Sequence, residues 1–90
     1  MHRYVIERDI PGIGKSTAAQ LKATAAKACD ALRSLGTGVQ WVESYVVADK
    51  TYCVYMAENE NLVRKHAQVS GFPADRIERV HAIIDPTNEG

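Results

Sequence analysis

Hydrophobic positions along the chain recur in two rhythms, one of period two and one of period 3.6, and the switches between them divide it into six elements. In HRYVIER (2–8) the apolar residues Tyr4, Val5 and Ile6 stand between charges, and DIPGIG (9–14) then supplies the proline and glycines that end a strand. From Thr17, TAAQLKATAAKACDALRSLG places Leu21, Ala25, Ala28, Cys29, Leu32 and Leu35 at helical spacing, with Gly36 as a natural C-terminal stop. GVQWVESYVVADKTYCVYMA reads as a hairpin, with strands near 39–47 and 51–57 around a polar Ala-Asp-Lys turn. ENENLVRKHAQVSGFP opens with acids, sets Leu62, Val63, His66, Ala67 and Val69 on one stripe, and stops at Gly71 with Pro73 beyond. DRIERVHAIID (75–85) alternates again, Val80, Ala82 and Ile84 against Ile77, Arg79, His81 and Ile83, until Pro86 closes it.

The order is therefore β-α-β-β-α-β. Right-handed crossovers fit it most economically into a ferredoxin-like α+β fold: a four-stranded antiparallel sheet, strand order 4-1-3-2, with both helices on one face. Ninety residues hold one such domain, spanning 1–90, with one modest core and no linker or repeat. Either alternating set of the hairpin carries large apolar or aromatic groups, so the face without helices needs a cover. A second copy of the chain, packed sheet to sheet, is the simplest one, which makes a homodimer the expected partner state.

Charge excludes other partners. The 11 basic and 11 acidic residues cancel without forming a basic stripe or acidic block, so neither nucleic acid nor a membrane surface is expected. Charges at positions 3, 7, 8 and 9 interrupt any apolar signal core, and no run approaches the roughly 20 apolar residues of a membrane span, so a soluble cytoplasmic protein is expected. Cys29 and Cys53 form no CxxC pair and sit in apolar periodic segments, as buried free thiols do.

Within DIPGIGKSTAAQ (9–20), GKST imitates the end of a phosphate-binding loop, and VHAIID imitates the strand and aspartate of a magnesium site. Counting back from Gly14, however, Asp9 occupies the position of the motif's first glycine and would set a carboxylate near phosphate charge. The chain is also too short for the larger parallel sheet of such domains. Thr17 and Gln20 explain the same letters as a capping box, with Pro11 and the glycines shaping the loop and Lys15 in solvent. No nucleotide is expected.

What chemistry remains lies on the strands and the second helix. Trp41, Glu43, Tyr45, Cys53, Tyr55, Arg79 and His81, with Glu7, fall in phase on one side of the expected sheet. They read either as a pocket of Trp41, Tyr45, Cys53 and Tyr55 with acidic and imidazole groups beside it, or as a dimer seam in which Arg79 and Glu7 form a cross-strand pair. His66 stands on the apolar stripe of its helix, as a core histidine or as a metal ligand; imidazole with carboxylates and water suits nickel, zinc or copper. His2, near the terminus, is a further imidazole.

The residues Trp41, Ser44-Tyr45-Val46, Asp49-Lys50, Tyr52-Cys53-Val54-Tyr55, His66-Ala67 and Gly71-Phe72-Pro73, with the opening RYVIER, resemble a family of small bacterial proteins classed as a domain of unknown function, with a nickel-binding ferredoxin-like member. The resemblance implies a homodimeric, nickel-binding ferredoxin-like domain without an established reaction. It also implies a histidine where Glu43 stands and an acid where Met56 stands. A carboxylate at 43 ligates nickel with less preference over magnesium or calcium. The first functional expectation is thus a noncatalytic Ni²⁺-binding homodimer with Glu43, His66 and His81 as metal ligands, not necessarily in one site. The alternative is a small-molecule-binding or monooxygenase-like enzyme of the dimeric α+β barrel type, which needs an acid or base buried in a pocket between sheet and helices.

Overall fold

The computed structural model, which describes residues 1–90, realises the expected element order: β1 (His2–Asp9), α1 (Ala18–Leu35), β2 (Val39–Val46), β3 (Lys50–Ala57), α2 (Glu60–Ser70) and β4 (Arg76–Arg79), with short 3-10 turns at Ile13–Lys15 and Pro86–Glu89. The sheet is ordered β2-β3-β1-β4 with every neighbouring pair antiparallel, the ferredoxin-like arrangement. Strict alternation in β1 buries Tyr4, Ile6 and Arg8 on the helix side, where Val39, Tyr55, Ala57 and Val63 complete the centre of the core.

Both helices begin as their sequences direct. Thr17 Oγ1 accepts from the Gln20 amide at 3.1 Å and Gln20 Oε1 accepts from the Thr17 amide at 2.9 Å, a complete capping box. Asn59 Oδ1 caps α2 by accepting from the Leu62 amide at 3.1 Å. Gly71 ends α2 in the left-handed region at φ 78°, its amide donating to the Ala67 carbonyl.

Gly14 shows what the GKST loop is for. Its amide donates to the Ala48 carbonyl at 3.0 Å, and a Cβ at this position would stand 2.7 Å from the Val47 carbonyl oxygen and 2.8 Å from Ala48 Cα. The loop glycine thus lets the β1–α1 connection lie directly on the backbone of the β2–β3 turn.

Three expectations change. β2 carries a bulge: Trp41 opposes Tyr55 and Glu43 opposes Val54, so Val42 is the extra residue and the alternation reverses beyond it. The last strand is short, ending at Arg79; one further backbone bond, from the Val80 amide to the Arg3 carbonyl at 2.8 Å, continues its register before 81–85 leave the sheet. On α2 the buried set is Val63, His66, Ala67 and Ser70, while Val69 lies exposed, because the helix settles with its Ser70 side inward.

Candidate functional site

The bulge at Val42 divides the residues expected to share a pocket. Trp41, Cys53 and Tyr55 stay on the helix side, joined by Ser44, but Glu43 and Tyr45 turn to the open face with Tyr52 and Val54. Tyr45 therefore does not line the pocket of Trp41, Cys53 and Tyr55. Its hydroxyl lies beside Glu43, whose carboxylate raises the Tyr45 pKa by hydrogen bonding and by charge. Glu7 also lies on the open face, opposite Tyr52 and Arg76, and pairs with Lys50 at 3.0 Å instead of with Arg79. Asp9 joins the same lysine at 3.3 Å, and the two carboxylates, Glu7 first, raise the Lys50 pKa. Arg79 is opposite Tyr4, on the helix side.

Behind Trp41 and Tyr55, between α1 and the sheet, lies a cavity of about 200 Å³. Its wall is mostly apolar, with Leu21, Ala25 and Ala28 from α1 facing Trp41, Cys53 and Tyr55; Trp41 Nε1 donates to Ser44 Oγ at 2.9 Å and is satisfied. The wall contains no carboxylate and no imidazole. It does contain Arg8, only 2% exposed. Arg8 Nη1 donates to the Pro73 carbonyl, Nη2 makes a long 3.4 Å contact with Tyr55 Oη, and the guanidinium lies 5.8 Å from the Phe72 ring centroid. No carboxylate pairs with it. Burial is the main influence on Tyr55 and pushes its pKa up to about 12, against the pull of Arg8.

His66 is wholly buried beneath Tyr55, their ring centroids 5.1 Å apart. Its Nε2–H donates to the Ala28 carbonyl at 3.0 Å, tying α2 to α1 and leaving Nδ1 the bare acceptor, a sealed atom without a partner. Burial lowers the His66 pKa, opposed by the Ala28 carbonyl and aided by Arg8. An imidazole fixed by a backbone carbonyl is the ordinary posture of a metal ligand, but no group of three His, Cys, Asp or Glu side chains gathers around it or anywhere else in the chain. The two free thiols do not change this: Cys53 is buried against Thr51 and Cys29 is half-buried on α1. Glu43, on the open face, and His66, on the helix side, are separated by the sheet. A single chain therefore does not by itself fit a closed nickel centre.

His81 lies past the end of β4 and is exposed, but not alone. The β1–β4 register pairs Tyr4 with Arg79, and the Val80–Arg3 bond carries it one step on, which brings the chain at His81 alongside the start of β1 at His2. Both imidazoles wall one shallow groove, together with Arg3, Met56 and Arg79. The sequence signals for Arg8 and His2 were both present but indirect: Arg8 is in phase with Tyr4 and Ile6, and His2 is meaningful only once the register is known.

Comparison with known proteins places the chain. The family model described as "Nickel responsive protein SCO4226-like" matches residues 4–80. Among solved structures, the crystal structure of SCO4226 from Streptomyces coelicolor A3(2) superposes with a TM-score of 0.76 at 15% identity, covering 91% of this chain and 99% of that one. At that identity the match speaks for the shared fold. No curated protein matches the sequence significantly.

Proposed function

The chain belongs to the SCO4226-like family of nickel responsive proteins, and from that premise we propose that it is a noncatalytic Ni²⁺-binding protein whose metal site is completed between two copies joined through their open sheet faces. The observation that carries the proposal is the His2–His81 pair. Two imidazoles walling one groove, one from the start of β1 and one from just past the end of β4, are a borderline donor set suited to nickel. Arg3 and Arg79 border the same groove and repel a bare dication, so a carboxylate must join the imidazoles. The groove wraps the end of the sheet, with the paired Arg3 and Met56 of the open face in its wall beside the two imidazoles, so a second copy on that face borders it; the wall itself offers no carboxylate, and Glu43, exposed on the open face, is the one a second copy presents. His66 has no part in this site, since it is sealed in the core with Nε2 already engaged. The enzyme alternative is less well supported, because the cavity wall carries no carboxylate or imidazole to act as its acid or base.

The test is calorimetric titration of tag-free protein with Ni²⁺, run beside sedimentation velocity. Saturable binding is expected, accompanied by a shift toward dimer. His2→Ala/His81→Ala should abolish it and Glu43→Gln should weaken it at least tenfold, while His66→Gln leaves it intact. Absence of saturable heat, or unchanged affinity in the double histidine variant, overturns the proposal.

A further inference from the structure

Arg8 is the group that the metal reading leaves unexplained. It lies at the opposite end of β1 from His2, about 20 Å away at roughly 3.3 Å per residue, and its surroundings are unlike a structural arginine's. A buried guanidinium is ordinarily held by a carboxylate, because an uncompensated charge in an apolar interior is costly. Here one nitrogen meets a backbone carbonyl, one makes a long contact with a tyrosine hydroxyl, and Nε donates to no protein acceptor. His66 Nδ1 is the sole sealed polar side-chain atom without a partner, so Arg8 Nε is not sealed, and the Arg8 side chain is part of the cavity wall. Aromatic rings of Tyr55 and Phe72 lie 5.9 and 5.8 Å from the guanidinium carbon, which disperses the charge without neutralising it.

From this arrangement we infer that the cavity between α1 and the sheet binds a small, mostly apolar organic carboxylate whose anionic end pairs with Arg8. Size, polarity and charge each narrow the ligand. A cavity of about 200 Å³ exceeds the approximately 150 Å³ apolar void known to hold a benzene molecule, leaving room for a ring or short chain with a carboxylate attached. Leu21, Ala25, Ala28, Trp41 and Cys53 receive the apolar body. A single cation without a second positive group in the wall suits a monoanion and disfavours phosphate dianions, and the planar fork of arginine matches a carboxylate in two-point contact. Entry runs past Leu21 and Val46, which are 36% and 42% exposed at the rim. The site is independent of the metal groove, so either can fail without the other.

Trp41 is the chain's single tryptophan and forms part of the wall, so its fluorescence, excited where benzoate does not absorb, reports occupancy directly. Benzoate and hexanoate, titrated into metal-free protein at constant ionic strength, should each produce a saturable change, with the tighter of the two telling whether the natural ligand is aromatic or aliphatic. Benzyl alcohol, with nearly the same shape and no charge, should bind at least tenfold more weakly. Arg8→Met should remove that preference. Should this variant fold poorly, Ala25→Phe keeps Arg8 in place and fills the void from α1; it should abolish the response to both acids. No saturable response to either acid overturns the inference, as do equal responses to benzyl alcohol, an equal change produced by sodium chloride alone, or full benzoate binding in Ala25→Phe.

Discussion

At the scale of single residues, His66 and Arg8 share an environment that makes opposite demands on charge. His66 is kept neutral by burial, with Arg8 nearby adding to the effect. Its folded-state pKa is lowered below the ordinary 6.5, so below that value the unfolded chain binds a proton that the folded chain resists. The stabilisation is therefore complete above the unfolded pKa and is lost as pH falls through the folded one. Urea unfolding followed between neutral pH and pH 5 should show stability falling with acid, by at most about 1.4 kcal/mol per pH unit from this residue. His66→Gln, whose side-chain amide still reaches the Ala28 carbonyl, should lose most of that slope, and an unchanged slope would place its origin elsewhere. His66 was legible as an inward residue because it stood on the apolar stripe of α2. Its sealed state was not, since helical periodicity indicates a side and says nothing of what packs over it.

Among the elements, local signals suffice for most of the fold: the capping box at Thr17, the Gly71 stop, the hairpin and the order of six elements all follow from spacings within a dozen residues. Two errors came from contacts between elements. The bulge at Val42 answers to the pairing of β2 with β3, and WVESYV contains no glycine or proline to announce it, so plain alternation puts Glu43 and Tyr45 on the wrong face. The final strand stops at Arg79 although HAIID alternates well, because β1 begins at His2 and offers the residues beyond His81 no further strand to pair with. The loop at Gly14 is a third contact between elements and gives a sharp prediction. Gly14→Ala drives a Cβ into the Val47 and Ala48 backbone, which cannot rotate aside as a side chain would. We expect a loss of about 1–3 kcal/mol, the usual cost of overpacking, measured by chemical denaturation. Lys15→Ala, one residue along and exposed, should stay within about 0.5 kcal/mol of the parent. If the two substitutions were equally mild, the loop would not be seated on the hairpin turn as described.

For the molecule as a whole, the exposed surface is larger than the chain's size warrants. A folded monomer of 9.9 kDa is expected to expose about 5,200 Å², whereas this chain exposes 6001 Å². Its radius of gyration, 13.8 Å, likewise exceeds the roughly 12 Å of a compact chain of this length. The excess area, about 800 Å², is what one partner buries in a standard interface. Part of it belongs to the residues from His81 onward, all exposed, and part to the open sheet face, where Val5, Val54 and Met56 form a half-exposed apolar strip beside Tyr45 and Tyr52. The Lys50, Glu7 and Asp9 cluster borders that strip and makes the face less uniformly apolar than the alternation suggested. The two contributions are separable. Val54→Lys sets a charge at the middle of the strip, between Val5 and Glu43, without touching the core side of β3. If the open face is the seam, this variant should sediment as a folded monomer at concentrations where the parent is a dimer, and Ni²⁺ binding should weaken with it because the second copy's carboxylate is gone. Ile83→Asp/Ile84→Asp, by contrast, alters side chains that are 64% and 83% exposed beyond the end of the sheet, and should leave the dimer in place. The reverse outcome would move the seam from the sheet face to the segment after β4, while a parent that stays monomeric with and without metal would leave the apolar strip facing water and remove the basis for a shared site.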